Sequence, residues 1–267
     1  MKSFNFLNLF FAKRNSEIIS FYSVNRLSET LAKAFAKPIH GMISSEWKDG
    51  YSDTIHSAFF FGNPELWFLF EKIKKHKLSF YYADKAYFDR SNYFRITKNS
   101  LQLSEFADFS SKRFERLKIP ILPRRYGDKI LLCPQSETFF RLNGLSREQW
   151  IKNTIQEIRK YSDRPIEIRD KVKLDTEISF SDALKNVHAV VVYTSVAGVQ
   201  SALQGVPSFA THSCATDIFS SGSIVNIESP LIPDNIYDLA CALANNQWTI
   251  EEIRKGLPQE YLGLKMQ

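Results

Sequence analysis

The chain has 267 residues, 44% of them hydrophobic and 24% charged. That length suits two domains and that balance suits packed cores, which excludes wholesale disorder and fibrous repeats. The net charge is +6, no uninterrupted apolar run reaches the ~18 residues of a membrane span, and Cys133, Cys214 and Cys241 are spaced for neither a zinc motif nor a disulfide framework, so a reducing cytoplasm is the expected compartment.

At the N-terminus, Phe4, Phe6, Leu7, Leu9, Phe10 and Phe11 follow Lys2. Asn5 and Asn8 break the run and no small-residue cleavage site follows, so it reads as a first strand or packed segment rather than a signal peptide. Residues 18–24 and 57–61 read as strands, and 28–37 as a short helix stopped by Pro38. Gly62-Asn63-Pro64 turns the second strand into a helix over 65–75. Residues 78–82 form a third strand, 83–98 a loop dense in Tyr, Phe, Asp and Arg, and 106–117 a helix. Two prolines make 119–123 a linker.

The pattern then restarts. Residues 129–133, 165–169, 188–193 and 207–210 read as strands. Helices are expected at 146–161, 181–186, 195–204, 233–245 and 249–256. Ser146 and Thr249 can cap two of these, with Gln149 and Glu252 three residues on. The run 188–193 is almost wholly apolar, as a central parallel strand is. Strands alternating with helices predict an α/β fold with a parallel sheet in each half, residues 1–125 and 126–267, facing a central cleft. Ligands are then expected in the loops after the strands.

Charge is divided unevenly. Up to Arg125 there are 21 Lys+Arg against 12 Asp+Glu, or +9; the remainder carries 14 against 17, or −3. This suggests that the first half meets a polyanion or phosphate-bearing partner, or simply has a solubilising surface.

The most informative stretch is 190–210, VVVYTSVAGVQSALQGVPSFA. Thr194 and Ser195 stand where a buried strand gives way to a helix, and Gly198 lies in its first turn. Unpaired N–H groups, the helix dipole and two hydroxyls there suit a diphosphate, and Gly198 would permit close backbone approach. Thr or Ser is equally a common plain N-cap, so spacing alone leaves both readings open.

The order strand, Ser, Gly, helix, then Gly205-Val206-Pro207 and a short strand resembles the second domain of GT-B glycosyltransferases and the related sugar-nucleotide 2-epimerases. The resemblance covers about residues 129–256; the tail from Asn246 to Gly256 and the segment 81–99 resemble small bacteriophage and capsule-type glycosyltransferase-like proteins. It implies two Rossmann-like domains, residues 1–125 on the acceptor side and 126–267 holding a nucleotide sugar. Gln200 stands where the family usually has an acid for the ribose. Ser136, after the strand 129–133, and Arg169 and Lys171, at the end of 165–169, are implied phosphate or donor contacts, and His212 borders the same site. A basic surface loop accounts equally for Arg169 and Lys171.

In the first half the resemblance and the need for a base near an acceptor hydroxyl point to Asp84, with Asp53 and His56 in reserve. A structural pairing of Asp84 with Lys85 or Arg95 is the competing reading. Tyr82, Tyr87, Tyr93 and Arg95 are candidates to stack on bases or sugars, or are plain packing.

The resulting expectation is a metal-independent glycosyltransferase with a nucleoside diphosphate sugar, foremost a UDP-sugar, as donor. No Asp-x-Asp motif is present. The basic first half and the phage-like resemblance favour a hydroxymethylated base in double-stranded DNA as acceptor. The alternatives are a capsule or surface polysaccharide, a non-catalytic nucleotide- or nucleic-acid-binding protein on a degenerate GT-B fold, and a sugar-nucleotide epimerase.

Overall fold

A computed structural model describes residues 8–14, 17–23, 25–39, 42–44, 57–62, 67–103, 106, 108–170, 178–212, 215 and 217–264. It divides into two compact units, one of residues 1–102 with 246–267 and one of residues 103–245. The first differs from the expected 1–125: the chain leaves at 102 and its last 22 residues return to complete it.

The first unit is built on a seven-stranded sheet. Its strands are β1 (Asn8–Arg14), β2 (Glu17–Ser23), β3 (Met42–Ser44), β4 (Ser57–Phe61), β5 (Ser79–Lys85), β6 (Tyr93–Lys98) and, from the tail, β11 (Trp248–Thr249), in the order β11-β6-β5-β4-β2-β1-β3. Only β2, β4 and β5 run parallel to one another; β1, β3, β6 and β11 pair antiparallel. The expected all-parallel sheet is therefore corrected to a mixed one, and the expected loop 83–98 contains the end of β5 and all of β6.

β4 is apolar on both faces because both are covered. Phe59 and Phe61 join a core with Leu31 and Phe35 of α1 (Arg26–Ala36), Tyr81, Ile96 and Trp248. Phe60 points the other way, against Phe80 and the Phe70 ring of α2 (Trp67–His76). Asn25 caps α1 by accepting from the Ser28 N–H at 2.9 Å, while the Ser28 hydroxyl accepts from Asn25 N–H, a reciprocal box. The tail closes this core. Thr249 and Glu252 form the predicted capping box of α9 (Ile250–Arg254), and Gln259 of α10 (Leu257–Tyr261) donates to the Phe35 carbonyl at 2.8 Å.

The second unit has a four-stranded, all-parallel sheet. Its strands β7 (Lys129–Cys133), β8 (Ile166–Ile168), β9 (Val187–Val192) and β10 (Ser208–Ala210) stand in the order β8-β7-β9-β10. Every residue of β9 is buried. Ile130, Leu132, Ala189 and Val191 pack under Ile151, Ile155 and Ile158 of α5 (Arg147–Ile158). Leu131, Cys133, Val190 and Val192 face the other way, onto Ala183 of α6 (Phe180–Ala183) and Ala197 of α7 (Ala197–Leu203). This is a doubly wound layer structure, as alternating strand and helix patterns predict.

The segment expected as a linker belongs to this unit. Leu122 and Arg125 donate to the carbonyls of Leu203 and Gly205 at 2.8 and 2.7 Å. Gly205 has φ +80°, and a Cβ there would stand 1.9 Å from the Pro123 carbonyl oxygen, so the turn after α7 demands glycine. The helices α3 (Lys112–Leu117) and α8 (Ile236–Asn245) pack together through Phe114 and Tyr237.

Candidate functional site

The strand order of the second unit marks the edge at which a ligand is expected. After β7 the chain moves to β8 on one side, then crosses to β9 on the other and on to β10. The direction reverses between β7 and β9, so the segments leaving these two strands run to opposite faces of the sheet, the position where open α/β sheets take ligands.

Side chains tie this edge together. Gln135, just after β7, accepts through Oε1 from the Thr194 N–H at 3.1 Å and from its hydroxyl at 2.9 Å. The Gln135 carbonyl accepts from Arg147 Nε at 3.0 Å, and Arg147 Nη2 stands 2.9 Å from Asp170 Oδ2. The series Asp170, Arg147, Gln135, Thr194 thus crosses from the end of β8 through β7 to β9. Tyr193 stacks on His212, their rings 4.9 Å apart and 11° from parallel, which brings in the loop after β10. Phe140 of α4 (Glu137–Leu142) and Trp150 surround Tyr193, and Trp150 Nε1 donates to Thr211 Oγ1 at 2.9 Å.

The donor-side expectations fall at this edge with different roles. Ser136 is the exposed N-cap of α4, accepting from the Phe139 N–H at 3.4 Å. Thr194 is buried and directs its N–H and hydroxyl to Gln135 rather than outward. Ser195 is half-buried, and its hydroxyl accepts from the Ala197 N–H at 3.3 Å. Gly198 requires a correction of reason. A Cβ there would meet Val192 Cγ2 at 3.2 Å and Ser208 Oγ at 3.4 Å, so the missing side chain lets α7 press on the sheet and does not open a path to a ligand. Gln200 is half-buried on α7, and His212 is exposed. Arg169 lies past β8 on the edge strand; its Nη2 donates to the Ile178 carbonyl at 3.0 Å and its guanidinium covers the Phe180 ring at 5.8 Å. Lys171 lies outside the described residues.

In the first unit Asp84 is an ion-pair partner. Its Oδ2 lies 2.6 Å from Arg95 Nη2, and its Oδ1 accepts from the Lys85 N–H at 2.7 Å. Arg95 is 3% exposed and lies over the Tyr87 ring at 5.2 Å. Tyr82 and Tyr87 are buried, which corrects the expectation that they offer stacking faces: Tyr82 packs edge-on against Phe60, and Tyr87 lies under the Arg95 guanidinium. Burial, and then the Asp84 carboxylate, push the Tyr82 hydroxyl well above the ordinary phenol range. Tyr93 is half-buried at the start of β6. Asp53 and His56 lie outside the described residues.

Sequence reasoning missed Arg147 and Trp150; it placed Gln135 in the turn after 129–133 that the resemblance sets against the donor phosphates, but not its bond to Thr194. The nearest signal was the Pro134-Gln135-Ser136 turn, but a side chain bonded 59 positions away leaves no local pattern. Among the described residues no group of three or more His, Cys, Asp or Glu could hold a metal ion.

No protein-family profile matches the chain, and no curated protein sequence matches it. Among solved structures it aligns with Thermosulfurimonas dismutans KpsC, beta Kdo 2,7 transferase, at 12% identity over 89% of this chain and 97% of that one, with a TM-score of 0.47. It also aligns with Thermosulfurimonas dismutans KpsC, beta Kdo 2,4 transferase, at 9% identity over 74% and 82% of the two chains, with a TM-score of 0.42.

Proposed function

We propose that the chain is a nucleotide-sugar-dependent glycosyltransferase whose acceptor is a surface saccharide. The carrying observation is the reversal of strand order between β7 and β9, with Gln135 bridging the two loops it creates. Because both acceptor positions of the Gln135 carboxamide oxygen are occupied by Thr194, its side chain can offer a ligand only N–H donors. Ser136, Ser195 and the amide turns that begin α4 and α7 add hydroxyls and further N–H groups. A donor-rich edge of this kind suits the oxygens of a diphosphate. The Tyr193–His212 stack beside it suits a planar or sugar ring. Arg147 is held by Asp170 and the Gln135 carbonyl, so it orients the edge.

A saccharide acceptor is favoured over a flipped DNA base by the first unit. The rings of Tyr82 and Tyr87 are buried and Arg95 is committed to Asp84, so these groups do not form the open aromatic platform that base extrusion uses.

One observation favours a second reading, a binding protein without turnover: both Asp84 oxygens are engaged, which occupies the leading candidate for the general base. Incubation with UDP-sugars and activated Kdo, in the presence of capsule oligosaccharides or hydroxymethylated duplex DNA, separates the readings. Transfer to the oligosaccharide supports the proposal. Transfer to DNA favours the other acceptor, and binding without turnover favours the second reading.

A further inference from the structure

The positive charge of the first half plays no part in the donor site, and part of it gathers at one edge of the first sheet. β2, β4 and β5 run parallel, and α1 and α2, which follow β2 and β4 on opposite faces of the sheet, both run back toward the amino ends of these strands. Lys37 closes α1, and Lys75 lies in the last turn of α2. Lys77 follows at once, in the tight turn where the Leu78 N–H donates to the Ile73 carbonyl at 3.0 Å and β5 begins. Lys98 ends the antiparallel neighbour β6 level with Tyr81, so it reaches the same edge. All of these lysines are exposed.

The described acids nearby do not balance them. Glu29 pairs with Lys33 at 2.6 Å, Glu17 is registered opposite Arg14, and Glu260 of the tail is accompanied by the exposed Lys255. Glu71, one turn before Lys74 on α2, offsets at most that lysine, whose ammonium lies over the Phe70 ring at 4.7 Å. Among the described residues, Lys37, Lys75, Lys77 and Lys98 have no ion-pair partner, and Lys98 lies over the Tyr81 ring at 5.7 Å. The C-terminal ends of the two helices supply only about half a negative charge each. The uncompensated ammonium groups arise from both helix layers and from the sheet between them. Such breadth fits a plane better than it fits a groove or a single strand of nucleotides. Lysine, a point charge on a flexible stem, suits dispersed head groups, whereas a defined phosphate calls for the arginine fork.

We propose that this edge docks the chain on an anionic lipid bilayer, with Lys37, Lys75, Lys77 and Lys98 against the phospholipid head groups. The contact lies at the opposite end of β4 and β5 from their carboxyl ends, so a docked first unit keeps its ligand-taking edge turned away from the bilayer. Each lysine near a charged leaflet is worth about fivefold in partitioning, and the attraction falls off within a Debye length, so the contact is salt-sensitive. The inference stands on the placement of charge and is independent of the transferase reading.

The test is sedimentation of the full chain, without nucleotide, with vesicles of phosphatidylcholine alone or of phosphatidylcholine mixed with phosphatidylserine. Binding to the mixed vesicles is expected to exceed binding to phosphatidylcholine by about tenfold or more and to fall steeply as salt rises. Lys75→Gln with Lys77→Gln should weaken it by about tenfold or more with melting temperature unchanged, and adding Lys37→Gln and Lys98→Gln should abolish the preference. Lys112→Gln with Lys152→Gln, which removes the same charge from exposed positions of the second unit, should leave it intact. Equal or undetectable binding to the two vesicle types overturns the proposal and makes the edge a solubilising surface. A preference that survives all four first-unit substitutions, or an equal loss in the second-unit control, overturns it as well. So does tighter binding of a duplex DNA that displaces the vesicles and is lost in the same variants, which would make the edge a nucleic-acid surface.

Discussion

Gln135 and Thr194 leave different strands of the second unit and are joined twice, Gln135 Oε1 accepting both the N–H and the hydroxyl of Thr194 at 3.1 and 2.9 Å. Thr194 is 2% exposed, so water cannot replace this partner. Gln135→Leu should leave both donors unsatisfied and cost about 1–3 kcal/mol, whereas Thr194→Val loses one net hydrogen bond, about 0.5–1.5 kcal/mol. Urea denaturation of both variants and of the double variant measures the coupling. Strictly additive losses would show that the two side chains do not interact.

Glycine is required at 205 and is tolerant at 198. Gly205→Ala drives a Cβ into the Pro123 carbonyl at 1.9 Å with φ +80° and should cost well over the ~1 kcal/mol of an ordinary surface change. Gly198→Ala meets only the ends of Val192 and Ser208 side chains at 3.2 and 3.4 Å. Overpacking of about 1–3 kcal/mol there is offset by ~1 kcal/mol of helix propensity. UDP affinity should be unchanged in Gly198→Ala, because that Cβ points at the sheet. A large loss of affinity with native stability would return Gly198 to the ligand.

Asp84 is predicted to act first on stability. Asp84→Asn strands the Arg95 guanidinium, 3% exposed, and breaking such a pair costs about 3–5 kcal/mol. Thermal melting of Asp84→Asn beside Arg95→Leu checks this. An Asp84→Asn protein that melts like wild type yet has lost turnover would instead identify Asp84 as the general base.

Acid sensitivity should begin at His188. Its Nε2–H donates to the Ile227 carbonyl at 2.8 Å. Burial holds its pKa below the usual histidine value, with Arg164 and Arg124 adding to the effect, and with the Ile227 bond and Glu228 opposing it. The unfolded chain therefore takes up a proton near pH ~6.5 that the native state refuses. Stability is full above that pH and declines as pH falls from it toward the folded pKa. Glu228, lowered first by the Ser162 hydroxyl and then by Arg164, has the same sign of effect but loses stability only below about pH 4.5. Urea midpoints between about pH 8 and 5 should fall for wild type and stay flat for His188→Gln. An equal fall in both places the proton elsewhere.

What the sequence revealed was whatever is written locally. The strands 57–61 and 129–133 are short apolar runs bounded by turn residues, and both form at those positions. The Thr249 capping box forms as read, and Ser146 caps α5, though the Gln149 side chain turns to Asn153 instead of closing a box. β6 was hidden because Arg95 and Thr97 fall on positions that burial makes apolar elsewhere. Arg95 becomes tolerable there only through Asp84 on the facing strand. The return of the tail depends on Trp248 pairing with Phe94, a relationship no local window contains. The diphosphate reading of 190–210 falls at the carboxyl end of β9, but the Thr194 donors it counted are turned to Gln135.

The most direct measurement of the central claim is a titration of UDP into isotope-labelled full-length protein, followed by backbone and side-chain amide shifts. The account predicts saturable shifts concentrated at the Gln135 carboxamide, Ser136, Ser195 and Val196, reduced about tenfold in apparent affinity by Ser195→Ala with Ser136→Ala. Saturable shifts confined to other strand ends, or no shift at millimolar UDP, would contradict it.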